Sequence, residues 1–267
     1  METVKKLMDL SGRVALVTGG AGHLGRAMAD ALAELGASIA IIDRAEEDCR
    51  STVELLKARH PVAVLPFAVD LEDEAAVITL PGRVAEALGS LDILVNCAAF
   101  VGTSGLEGWN EPFESQSVDT WRRAMEVNLT AVFALTQAAA PLLKSKGHGS
   151  IINISSIYGV HGPDLSLYQG TGMNNPAAYA ASKGGLLQFT RWCATVLAPE
   201  IRVNAITPGG VFRNQDEKFV ERYVEKTPLR RMACEEDFKG VVSFLASDLS
   251  AYVTGQNIAV DGGWGVW

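Results

Sequence analysis

The chain has 267 residues, 48% of them hydrophobic and 20% charged, with a formal net charge of −8. That apolar content can fill a full core, and the length suits one large α/β domain better than two small ones. The acidic balance excludes a phosphate-backbone binder, whose affinity comes from Lys and Arg, and leaves a small molecule as the expected partner.

The N-terminal stretch METVKKLMDLSGRVALVTGG lacks the pattern of a signal peptide, and no apolar run approaches membrane-spanning length, so the expected location is cytoplasmic with no membrane partner. VALVT reads as a first strand. Apolar residues at helical spacing follow from His23 to Leu35 and stop at Gly36, and Ser38 to Asp43 (SIAIID) is the near-continuous buried strand that parallel sheets require. VAVLPFAV, LDILVN and SIINIS continue the alternation with helical segments between them, and IRVNAIT and QNIAV add two more strands. The pattern predicts an α/β fold, a three-layer, doubly wound parallel sheet of about seven strands, with the strand order open. Cys49, Cys97, Cys193 and Cys234 show no metal-ligand spacing and are expected as free thiols, so neither metal nor disulfide is expected.

The whole of 1–267 reads as one domain with loops near 100–117, 158–175 and 209–231. The first two are rich in Gly, Ser, Asn and Pro and follow strands at their C-terminal ends, where open sheets bind ligands. After Pro208 there is room for a lid, one helix and a last strand.

Between the first strand and first helix lies TGGAGHLG, where Gly19, Gly20, Gly22 and Gly25 allow a tight turn and a close approach to a pyrophosphate at the helix N-terminus, the Rossmann-type arrangement. Asp43, ending the second strand, is placed to accept hydrogen bonds from an adenosine ribose and to repel a 2′-phosphate. That favours NAD, while the adjacent Arg44 keeps NADP possible. At the other end of the chain, Asn175-Pro176 reads as a helix start, with Asn175 as N-cap and Pro176 at the first helical position. Tyr179 then falls in the first turn and Lys183 on the same face. For Tyr179 to act as a base near neutral pH its phenol must drop by about three pH units, roughly 4 kcal/mol, which a close lysine, the helix dipole and a cationic ligand can supply together. Ser155 and Ser156 end the strand SIINIS, and Asn128 interrupts an apolar helical stretch, where it needs a buried partner.

These residues, with Asp70-Leu71, NCAA from Asn96, PGGV from Pro208 and the ending VTGQNIAVDGGW, resemble the short, single-domain branch of the short-chain dehydrogenase/reductase family over essentially the full length. The resemblance implies a catalytic tetrad of Asn128, Ser156, Tyr179 and Lys183. Tyr179 would exchange the hydroxyl proton, Ser156 would polarise the carbonyl, and Lys183 would also bind the nicotinamide ribose. It further implies a dinucleotide held by Gly19, Gly22, His23, Leu24, Gly25, Asp43, Asp70 and Leu71, by Asn96 and Ala98, and by Tyr179, Lys183, Pro208 and the backbone of Val211. Asp70 would take the adenine amine, and Asn96 would hold the central strand. The implied activity is hydride transfer between nicotinamide and a secondary alcohol or ketone, and the implied assembly is a homotetramer or homodimer through the helices bearing Asn128 and Tyr179.

Three departures stand out. His23 occupies the place of the family loop's middle glycine, NCAA replaces the usual N-N-A-G, and Ser156 and Tyr179 stand 23 positions apart, so that roughly ten residues are inserted before the catalytic helix. Tyr168 within the insertion is excluded as the acid/base because Gly172, not lysine, follows it by four. Polar residues of the two long loops, including Thr103, Ser104, Asn174 and Asn175, suit a hydroxylated ligand such as a sugar, nucleotide sugar or polyol, with Trp109 or Phe212 stacking on an apolar ring face and Tyr168 nearby. The alternatives are an apolar steroid or acyl alcohol, and a catalytically silent dinucleotide-binding scaffold. An epimerase or dehydratase would need a larger C-terminal substrate domain. Trp264 and Trp267 are expected to pack on a neighbouring subunit or to close over the pocket.

Overall fold

The structure is a computed structural model that describes residues 1–101 and 104–267; Thr103 lies outside the described residues. Strands β1 (Val14–Thr18), β2 (Ser38–Asp43), β3 (Val64–Ala68), β4 (Ile93–Asn96), β5 (Gly149–Ile154), β6 (Ile201–Pro208) and β7 (Asn257–Val260) form one parallel sheet in the order β3-β2-β1-β4-β5-β6-β7. Each strand expected from the sequence is present. The helices are α1 (Val4–Met8), α2 (His23–Glu34), α3 (Glu46–Arg59), α4 (Glu74–Leu88), α5 (Val118–Met125), α6 (Ala131–Lys144), α7 (Ala177–Val196), α8 (Glu217–Lys226) and α9 (Lys239–Ala246).

Why VALVT is apolar from Val14 to Val17 follows from its place at the centre of the sheet. Successive side chains point to opposite faces. Ala15 and Val17 join a cluster with Met28, Leu32, Val53, Leu56, Val242 and Leu245 from α2, α3 and α9. Val14 and Leu16 join another with Val77, Leu80, Leu135, Leu143 and Cys193 from α4, α6 and α7. With helices on both faces, every position of β1 is buried. The strand order reverses direction between β1 and β4, which opens a crevice at their carboxyl ends.

Three expectations need correction. The segment carrying Asn128 forms a continuous helix, Val118–Lys144, long and apolar enough by length and composition to cross a membrane. Here it packs against α4 and α7 and buries Leu135 and Leu143 in the core. After Pro208 there are two helices, α8 and α9, because the lid segment itself folds as an amphipathic helix with Phe219 and Tyr223 buried. The insertion at 158–175 is not structureless. It contains 3-10 turns at Ile157–Gly159 and Leu165–Tyr168, and Leu167 shares an apolar cluster with Phe219, Tyr223, Met232 and Trp264. Trp264 therefore packs within its own chain, stacked on Tyr223 at 5.9 Å, whereas Trp267 is exposed.

Candidate active site

Two features converge at the carboxyl ends of the strands: a glycine-lined cleft beside β1 and β4, and a set of polar side chains where β5 meets α7. In the cleft, Gly19 has φ +63°, and a Cβ there would lie 2.9 Å from the Ala98 backbone; a Cβ on Gly25 would lie 2.1 Å from the Gly19 carbonyl. Only glycine lets the loop pass this close to the chain leaving β4. Gly22 is the N-cap of α2, and His23, the first helical residue, turns its ring outward to Glu235 at 3.5 Å, with Leu24 packed on the core. A side chain at position 23 thus leaves the loop path intact.

Thr18 Oγ accepts from the amides of Cys97 and Ala98 at 3.1 and 3.2 Å, which folds NCAA across the glycine loop. The cleft holds about 420 Å³ and is lined by Gly19, Asp43, Arg44, Asp70, Leu71, Ala98 and, from the first long loop, Phe100, Ser104, Gly105 and Leu106. Asp43 accepts from the Arg44 amide at 2.8 Å and the Ala21 amide at 3.3 Å, which fixes its carboxylate at the rim. The glycine cradle, the helix N-terminus and the rim carboxylate fit a dinucleotide. Further along, Pro208 ends β6, and Val211 pairs with Ala233 while its carbonyl accepts from Gln215 Nε2 at 2.7 Å.

Asn96 donates to Asn153 Oδ1 at 2.8 Å, and Asn153 donates to Thr190 on α7 at 2.9 Å, so a polar ladder ties β4, β5 and α7 together. Asn128 sits in a π-helical turn, Glu126–Thr130, that joins α5 to α6. Such bulges are frequent at functional sites. Its side chain is satisfied by the Phe100 backbone, accepting at 2.8 Å and donating at 3.2 Å, and by Ser182 Oγ at 3.1 Å, which itself donates to the Tyr179 carbonyl.

α7 begins at Ala177, one residue later than expected. Pro176 has ψ 130° and occupies the N-cap position, and no side chain of its own supplies the cap. Tyr179 is still in the first turn. Ser156 caps the 3-10 turn after β5, accepting from the Tyr158 amide at 3.2 Å, so the hydroxyl proton of Ser156 is left for another acceptor. Gly159 allows that turn to press on α7, since a Cβ would sit 2.7 Å from the Lys183 backbone, and Ser155 Oγ donates to the Lys183 carbonyl. Lys183 is buried; its ammonium donates to the Ile154 carbonyl at 2.7 Å and lies 5.8 Å from the Tyr179 ring centre.

The residues around Tyr179 by themselves shift its phenol upward, and the expected lowering calls on a cationic ligand as well. Burial raises the phenol and Ser156 opposes it, while the Lys183 ammonium is turned to the Ile154 carbonyl. Burial likewise holds Lys183 down at about 8, against the opposing influence of Cys97.

The stacking role expected of Trp109 is also corrected. It is 2% exposed, donates to the Val101 carbonyl at 2.7 Å, and packs against Ala124, Ala178 and Tyr179 as a wedge behind the site. Phe212 remains half exposed, Tyr168 hydrogen-bonds the Tyr158 hydroxyl, and the amide of Asn174 donates to Asn110 Oδ1 at 2.7 Å. Ser182, Gly159, Asn110 and Gln116 escaped sequence reasoning because their partners are distant in the chain. Among the described residues there is no cluster of three or more metal-ligating side chains.

A family model described as enoyl-(acyl carrier protein) reductase, within the short-chain dehydrogenases/reductases, matches residues 19–265. The chain is 36% identical to a trans-4-hydroxycyclohexanecarboxylate dehydrogenase of Sinomonas cyclohexanicum, over 94% of this chain and 92% of that one. Its fold superposes with TM-score 0.88 on a gluconate 5-dehydrogenase of Burkholderia cenocepacia in complex with NADP and tartrate, at 30% identity over 99% and 100% of the two chains. An NAD+-bound xylitol dehydrogenase matches with TM-score 0.82 at 29% identity, over 95% and 99%. The chain belongs to the short-chain dehydrogenase/reductase family of oxidoreductases.

Proposed function

We propose that the protein is an NAD-dependent dehydrogenase of secondary alcohols, and reductase of the matching ketones, acting on a polar hydroxylated substrate such as a sugar, sugar acid or polyol. The observation that carries this reading is Tyr179 flanked by the Ser156 hydroxyl and the Lys183 ammonium, 5.8 Å from its ring centre, in a chain that also has a glycine-lined cleft with an acidic rim residue. Gly19, Gly22, His23 and Gly25 would hold the dinucleotide phosphates, Asp43 the adenosine ribose, Asp70 and Leu71 the adenine, and Tyr179, Lys183, Pro208 and Val211 the nicotinamide half. When bound, the dinucleotide supplies the hydride donor or acceptor and, in its oxidised form, a positive ring.

The chain's own residues handle the proton and the orientation. Ser156 donates its hydroxyl hydrogen to the substrate oxygen, which holds that oxygen toward Tyr179. Tyr179 takes the proton from the alcohol, or returns it to the ketone oxygen. Its phenol, raised by burial, needs a nearby positive charge to ionise near neutral pH, and Lys183 provides one if its ammonium moves from Ile154 toward the ligand. Asn128 keeps Phe100 and the Tyr179 turn in register through Ser182. Water is kept from the rear of Tyr179 by Trp109.

The preference for NAD rests on Asp43, whose carboxylate disfavours a 2′-phosphate. The polar substrate class is supported by the insertion and by relatives named for a hydroxycyclohexanecarboxylate, gluconate and xylitol. Exposed Phe133, Trp192 and Val196 on α6 and α7 support assembly through this face. The test is an absorbance screen of sugar acids, polyols, ring alcohols and sterols with NAD and NADP. Turnover of polar alcohols with NAD is expected, and turnover of only the apolar set overturns the substrate class.

A further inference from the structure

The first long loop is stitched to the insertion and to the catalytic helix by two side chains. Asn110 reads the insertion with both ends of its amide: Nδ2 donates to the Gly172 carbonyl at 3.0 Å, and Oδ1 accepts from the Asn174 amide at 2.7 Å. This is the hydrogen-bonding pattern of a strand neighbour, supplied by one side chain. Six residues on, Gln116 Oε1 accepts from the Ala177 amide at 2.9 Å, while its Nε2 donates back to the Glu111 carbonyl at 3.1 Å. Ala177 is the first residue of α7, the N-cap there is a proline without a capping side chain, and Tyr179 lies two residues further. The amides of a helix's first turn must find acceptors outside the helix. Gln116 supplies one from a segment 61 positions away.

We infer that Gln116 and Asn110 are positioning residues that divide the work between chemistry and substrate binding. Gln116 fixes the turn that carries Tyr179, so its loss acts on kcat. Asn110 fixes the insertion against the first loop, so its loss acts on KM. The two bonds of Asn110 join the segment 104–117 to the insertion, and the bond of Gln116 ties the same segment to the turn that carries Tyr179, so the placement of the insertion and the orientation of the phenol are coupled. This inference rests on the reading of Tyr179 as the acid/base.

The experiment is steady-state kinetics on dinucleotide-titrated active sites, with hydrogen exchange at 177–180 as a second readout. Gln116→Met keeps the volume and removes the acceptor. Losing a cap weakens a helix start, and here the expected result is a fall in kcat of about fivefold with faster exchange at 177–180. Gln116→Glu keeps an acceptor at the positive helix end and is expected to restore kcat to within about twofold. Asn110→Ala is expected to raise KM about fivefold with a smaller fall in kcat, and Asn110→Asp, which keeps only the bond to Asn174, to fall between. If Gln116→Met matches the wild type in kcat and exchange, or Gln116→Glu is no better than Gln116→Met, the capping role is wrong. If Asn110→Ala lowers kcat and leaves KM alone, the division of labour is wrong. Tyr179→Phe separates the two levels: an active Tyr179→Phe defeats the underlying reading, whereas an inactive one beside an unaffected Gln116→Met defeats only this inference.

Discussion

Replacing Lys183 by Met isolates what the buried ammonium costs. Lys183 is 2% exposed, its Nζ donates to the Ile154 carbonyl at 2.7 Å, and burial holds its pKa at about 8 against 10.5 for the free side chain, with Cys97 opposing. At about 1.4 kcal/mol per pH unit, that gap is about 3 kcal/mol in favour of the neutral amine. The folded value lies below the unfolded one, so the folded protein carries the full penalty at every pH below about 8. The penalty fades as pH rises toward 10.5, above which both states are neutral. Methionine fills the space of the stem without the charge and forfeits one hydrogen bond, worth about 1 kcal/mol. The net expectation for the dinucleotide-free protein at pH 7 is a gain of about 2 kcal/mol, or roughly 4–8 °C in Tm for a chain of this size. Thermal melts at pH 7 and pH 10 measure it. The advantage of Lys183→Met is expected to shrink at the higher pH, and the variant is expected to be inactive. A variant that melts at or below the wild type at pH 7 refutes the reasoning, because the ammonium would then be better solvated than its burial implies.

Asp30 supplies the opposite sign. Burial alone would raise its pKa, but Lys239 at 2.5 Å and His60 at 2.8 Å outweigh that and hold it at about 2. Its contribution is present above the unfolded value of 3.8 and is lost as pH falls toward 2, so Asp30→Asn is expected to cost about 3 kcal/mol in urea unfolding at pH 7 and little near pH 2. Asp43→Ser is expected to lower kcat/KM for NAD about tenfold and to improve use of NADP; an unchanged ratio removes Asp43 as the selector. Phe189 stacks on Trp192 at 6.3 Å and meets Phe133 at 6.0 Å on the open face of α6 and α7. Substituting Phe133 and Trp192 by Ser is expected to lower the mass seen by light scattering, and a monomeric wild type would remove the assembly.

The sheet was legible because parallel strands buried on both faces leave a simple trace: VALVT and SIAIID are apolar where both helix layers meet them. Tyr179 and Lys183 were legible because one helical turn places them, whereas the strand end offered both Ser155 and Ser156 and only the family resemblance chose between them. Trp109 misled, since a large aromatic in a polar loop reads as a ligand platform until the loop is seen folding over it and pinning its indole to Val101. The α7 start misled by one residue because the cap comes from Gln116, outside the local sequence. Nor could spacing reveal that the Lys183 ammonium donates to the Ile154 carbonyl, since that depends on competing partners in three dimensions.

The most direct measurement of the central claim is Tyr179→Phe, assayed for NAD affinity by fluorescence titration and for turnover of the alcohol found in the screen. Removing only the phenolic oxygen is expected to leave NAD affinity within about threefold and to lower kcat by about 10²–10⁴-fold, the usual contribution of a positioned acid/base. Turnover close to that of the wild type, with NAD still bound, would contradict the assignment of Tyr179.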